Sequence, residues 1–131
     1  MTMRTKEFIY LVETEKSFDD AVVSVLKAVE KFNWTLFNTY DVKERLAAKG
    51  FEQEPLKIIE ICSGKHANKL LNKNRLVSIC MPCKINVLQD ENAVKIIGMK
   101  PTMITNFFPE IKQEEIEEIE KDIKDIIDSA K

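Results

Sequence analysis

The sequence predicts an α+β domain in which helices pack on a mostly antiparallel sheet, in the order β-α-β-α-β-α-β-β-α. Three observations lead there. Short β-prone runs alternate with segments whose apolar residues recur at helical spacing. The strands are too few and too interleaved with helices for a sandwich. The last stretch, Gln113 to Ala130, is an amphipathic run suited to closing the domain against a sheet.

The chain has 131 residues, of which 44% are hydrophobic, enough for one core, so residues 1–131 are read as a single domain. Glu7 to Glu13 (EFIYLVE) is apolar at nearly every position and rich in aromatic and β-branched residues. It reads as a strand covered on both faces, central in the sheet or at an interface. Ser17 is an N-cap, with Asp20 three residues on, for a helix whose buried stripe is Phe18, Val22, Val25, Leu26, Val29 and Phe32.

Trp34 to Tyr40 is β-prone and stops at Asp41, an N-cap for a short helix from Val42 to Lys49. Gly50 follows, where a left-handed cap favours a residue without a β-carbon. Leu56 to Cys62 is the next strand, entered after Pro55. Ser63 and Gly64 then cap a short helix with Ala67, Leu70 and Leu71 on its apolar side, ending near Asn72. Arg75 to Cys80 and Lys84 to Leu88 read as strand segments interrupted by Met81-Pro82, because proline cannot donate to a ladder.

Gln89 to Asn92 is a turn, and Ala93 to Met99 returns antiparallel as a hairpin arm. Lys100 to Pro109 is an irregular connection with Met103, Phe107 and Phe108 exposed, suited to a lid or a partner contact. In the closing helix, Ile116, Ile119, Ile123, Ile126, Ile127 and Ala130 form the buried stripe. Nine acidic against four basic residues from Pro109 onward make it the negative pole.

A net charge of -2 gives no global drive toward nucleic acid or an acidic membrane surface, so neither is expected as a partner. The N-terminal stretch lacks the order of a signal peptide, and no apolar run approaches bilayer length. Three cysteines, an odd number without framework spacing, suit a reducing compartment. A cytoplasmic protein is expected. The apolar first strand and the aromatic residues near Phe107 point to a homodimer.

Chemical character is concentrated between Leu56 and Val87, which holds Cys62, Cys80, Cys83 and His66. Lys65, His66, Lys69, Lys73, Arg75 and Lys84 lie there with no Asp or Glu between Glu60 and Asp90. A cysteine between a strand end and a helix N-terminus feels unpaired N–H groups that favour the thiolate, and Cys62 holds that place. The plain alternative is a structural cluster, since cysteine usually packs as a small hydrophobe.

The favoured functional reading is a basic pocket lined by Cys62 and Cys83, with Ser63, Gly64, Lys65 and His66 as donors. It binds or carries a small anionic or sulfur-containing group, with the cofactor unspecified and no turnover assigned. The alternative is a metal-binding or thiol-redox protein. Cys62, His66, Cys80 and Cys83 make the Cys₃His set that zinc prefers, and Met81, Met99 and Met103 would join for Cu(I).

The order Asp41, Leu46, Lys49-Gly50, then Cys62 with Ala67 and Leu70-Leu71, then Pro82-Cys83 leading to Val87, resembles the domain of unknown function 302 family. The resemblance runs from about Thr14 to Met103, and its most specific marks are Cys62 and Pro82-Cys83. It implies a curved antiparallel sheet of the TATA-binding-protein-like class with helices on one face, commonly dimeric, and brings no established reaction. Fold similarity to a DNA-binding protein carries no function by itself. Two positions depart from the family: Ser63-Gly64 replaces its usual Asn-Pro, and Cys80 replaces an apolar residue. Cys62 and Cys83 are therefore the favoured pair.

Overall fold

The computed structural model describes residues 1–131. Five strands form one open antiparallel sheet: β1 (Ile9–Thr14), β2 (Thr35–Asp41), β3 (Leu56–Cys62), β4 (Cys83–Asp90) and β5 (Ala93–Met99), in the spatial order β1-β5-β4-β3-β2. The helices are α1 (Met3–Phe8), α2 (Phe18–Lys31), α3 (Val42–Ala47), α4 (Gly64–Lys73) and α5 (Gln113–Ala130). Short 3-10 helices cover Arg75–Cys80 and Pro101–Asn106.

Strand alternation sorts the sheet into two unlike faces. On one face Ile59, Ile61, Ile85, Val87 and Ile96 are fully buried. They meet the α2 stripe of Val22, Val25 and Val29 and the whole stripe expected of α5, all buried in one core cluster. Phe18, Leu26 and Phe32 of the expected α2 stripe are half-buried at its margin. The capping expectations also hold: the Ser17 and Asp41 side chains accept from Asp20 N and Glu44 N, and Gly50 sits at φ 87°.

Helix α5 is pinned at its C-terminal end. Lys16 Nζ donates to the Ala130 carbonyl at 2.9 Å, the favourable end for a cation, and Tyr10 Oη donates to Asp128 at 2.6 Å. Its middle presses so closely on β5 that a β-carbon at Gly98 would lie 2.9 Å from Ile127 Cδ1 and 3.1 Å from Ile123 Cγ2. Glycine at 98 lets the two isoleucines approach without having to give way.

Three expectations are corrected. Glu7 and Phe8 close α1, which precedes the first strand, and β1 is an edge strand paired only with β5, so it is not central. Arg75–Cys80 is a 3-10 helix, because Asn74 Oδ1 accepts from Leu76 N at 2.9 Å and starts a turn that buries only Val77. In the connection after β5, Pro101 and Ile104 are buried and Phe108 packs on the core, while Phe107 is 76% exposed.

Replacing Gly98 with Val should overpack the β5–α5 contact and cost about 1–3 kcal/mol. Denaturant melts with an unchanged midpoint would show that α5 does not sit against this strand.

Candidate functional site

Strand β3 delivers Cys62 to the sheet end, and the Ser63 side chain then accepts from His66 N at 3.5 Å, starting α4. Cys83 opens β4 directly opposite Ile61. The 3-10 helix ending at Cys80 folds over this junction. Between these elements and Ile116 and Ile119 of α5 lies an apolar cavity of about 30 Å³. Its lining includes all three cysteines, Met81, Ser63 and His66.

His66 is buried, and its ring Nε2 lies 3.2 Å from Asp122 Oδ2. The same oxygen accepts the Trp34 indole N–H at 3.1 Å, and the two rings sit 5.9 Å apart at 50°. An ionised carboxylate only accepts, so Nε2 carries the proton. Asp122 thus satisfies two donors from two different elements. Sequence reasoning missed both Trp34 and Asp122. The available signals were the lone tryptophan, whose N–H needs a partner when buried, and an acid three residues after Ile119 at the edge of the buried stripe.

The structure brings Cys62, Ser63, His66 and Cys83 together on the cavity, with Cys80, but leaves Gly64 and Lys65 exposed outside it. The pocket is therefore apolar, which corrects the basic pocket. Lys73 is paired with Glu115 at 2.8 Å, and Arg75 and Lys84 point to solvent. On the other side of His66, a shallow depression of about 150 Å³ holds Lys69 among Glu114, Glu115 and Glu118. Helix α5 brings acid to the place where the sequence showed only base.

The thiols follow the same logic. Burial raises Cys62 above its ordinary value, so the thiolate expected at the helix N-terminus is not favoured. Burial raises Cys83 to about 11, with the charge of Cys62 adding to it, Lys84 opposing and Cys80 adding a little more. Desolvation is the largest cause at both thiols. Cys62, His66, Cys80 and Cys83 share a cavity, yet no three His, Cys, Asp or Glu side chains converge as a metal-binding group, which corrects the zinc alternative.

The model of the family described as domain of unknown function DUF302 matches residues 10–130. The chain belongs to the DUF302 family. A crystal structure of an uncharacterized conserved DUF302 protein from Bacillus stearothermophilus is similar at TM-score 0.87 and 26% identity, covering 95% of this chain and 98% of that one. No curated protein matches. The DUF302 match spans both cavity segments, around Cys62 and around Pro82-Cys83, together with Trp34 and Asp122. No helix of the chain is long and apolar enough to cross a membrane.

Removing the shared acceptor should be costly. Asp122→Ala leaves the Trp34 and His66 donors buried and unpaired, an expected loss of about 2–4 kcal/mol. Asp122→Asn, whose amide oxygen can keep one of the two bonds, should fall between. Thermal melts in which Asp122→Ala matches the wild type would remove this network from the account.

Proposed function

We propose that this chain is a cytoplasmic, homodimeric binding module whose thiol-lined cavity holds a small uncharged group, sulfur-containing or otherwise apolar. The observation that carries the reading is the gathering of all three cysteines and Met81, from two separate segments of the chain, around one cavity. Thiols, a thioether and an indole make a soft, polarisable lining. The apolar lining gives an anion no charged partner, and the acids on the far side of His66 add none, so an uncharged guest is favoured. Three unpaired thiols fit a reducing compartment.

The volume limits the guest. A cavity of about 30 Å³ admits a group of two or three heavy atoms. For a guest that small the attainable affinity is modest, with Kd on the order of 1 mM or weaker.

Dimethyl sulfide, a neutral probe of three heavy atoms, tests the reading by NMR titration of the methyl groups of Ala67, Val77 and Ile104, with thiosulfate as the anionic comparison. Saturable shifts of the cavity methyls with dimethyl sulfide, and none with thiosulfate, are expected. Shifts with thiosulfate alone, or none with either, would overturn it.

A further inference from the structure

His66 is the chain's only histidine, and one of its ring nitrogens has no partner inside the protein. Asp122 holds the proton on Nε2, so the lone pair stands on Nδ1. No group of the chain donates to that nitrogen: the Ser63 hydroxyl bonds only to His66 N, and none of the three cysteine thiols bonds to the ring. The residue is only 9% exposed. An acceptor on a buried side chain costs free energy until something donates to it.

The same ring walls the cavity, together with Cys62, Cys80, Cys83 and Met81. Trp34, the other nitrogen-bearing ring on the wall, has its N–H committed to Asp122. The lining thus combines soft sulfur with an open imidazole lone pair.

We propose that the guest of this cavity is a small neutral thiol whose S–H donates to His66 Nδ1 while its sulfur and carbon lie against the cysteine sulfurs and Met81. The proposal rests on the cavity reading above and sharpens it from any uncharged group to one chemical class. An alcohol of the same size fits less well, because a hydroxyl gives up strong bonds to water and its own lone pairs find few donors among apolar groups. A thiol is a weak donor and acceptor and gives up little, so one acceptor is enough. A thioether has no hydrogen to offer and leaves Nδ1 unpaired.

Ethanethiol and dimethyl sulfide test this as isomers, since only the first carries a hydrogen on sulfur. Each is titrated into the full chain under anaerobic, reducing conditions at about pH 7.5, where an unperturbed imidazole and an alkanethiol are mostly neutral. Two signals are followed together: the cavity methyls of Ala67, Val77 and Ile104, and the His66 ring nitrogens in a long-range proton–nitrogen correlation spectrum. A single histidine makes that spectrum unambiguous.

The free protein should show the ring proton on Nε2. Ethanethiol should bind about 3- to 10-fold more tightly than dimethyl sulfide, the worth of one hydrogen bond, and should move the Nδ1 signal upfield as the methyl shifts saturate. Dimethyl sulfide should move the methyls and leave Nδ1 in place. His66→Gln, whose amide can still donate to Asp122 but has no acceptor at the Nδ1 position, should bring the two affinities together. If that variant fails to fold, the wild-type Nδ1 signal decides. Equal affinities with Nδ1 unmoved would overturn the thiol and leave the uncharged-guest reading standing. A ring proton found on Nδ1, or an Nδ1 signal that moves without the methyls, would overturn it too. No saturable shift with either compound would overturn the cavity reading itself.

Discussion

The rest of the structure depends on the docking of the α5 isoleucine stripe onto one face of the sheet. Ile116, Ile119, Ile123, Ile126 and Ile127 are all buried, and Ile123 and Ile127 reach so near β5 that a β-carbon at Gly98 would crowd them. That single contact fixes three things. It closes the core over β5 and β1 and against α2, and it brings Ile116 and Ile119 to the wall of the cavity. It also sets Asp122 between Trp34 and His66, two residues that the sheet and α4 deliver from other parts of the chain.

The same docking decides the electrostatics of the site. A strand end followed by a helix N-terminus favours a thiolate when it opens to water. Here α5 and the 3-10 helix ending at Cys80 cover that junction, and the cavity they enclose is apolar. A buried thiolate loses more solvation than the helix terminus restores, so Cys62 and Cys83 are both raised. The acids of α5 meet the lysines of α4 outside the cavity, as in the Lys73–Glu115 pair. Lys65, Lys69, Arg75 and Lys84 of the basic stretch lie on the surface outside the apolar cavity.

What the sequence made legible was periodicity over long spans. The α5 stripe, the β3 limits at Leu56 and Cys62, and the hairpin arm from Ala93 to Met99 all follow from spacing and turn chemistry. Arg75–Cys80 was not legible, because its β-prone residues are outweighed by a local Asn74 cap and a single anchor at Val77. The edge position of β1 was hidden too: an apolar run does not distinguish a strand between two neighbours from one with a single neighbour. Of the site, the clustering of Cys62, Cys80, Cys83 and His66 was visible in one stretch. Its polarity was not, since that is set by Trp34, Ile116, Ile119 and Asp122, far away along the chain.

The central claim is that burial keeps the Cys62 and Cys83 thiols protonated. Raman spectroscopy of the S–H stretch across a pH titration, with single Cys→Ser variants to assign each band, reads this directly. The Cys83 band should persist well past neutrality and fade near pH 11. A group raised in the folded state lends stability below its unfolded value and loses it as pH climbs to the folded one, so stability should fall over the same alkaline range. Loss of the Cys62 or Cys83 band at or below pH 8, the range of an unperturbed or activated thiol, would contradict the account.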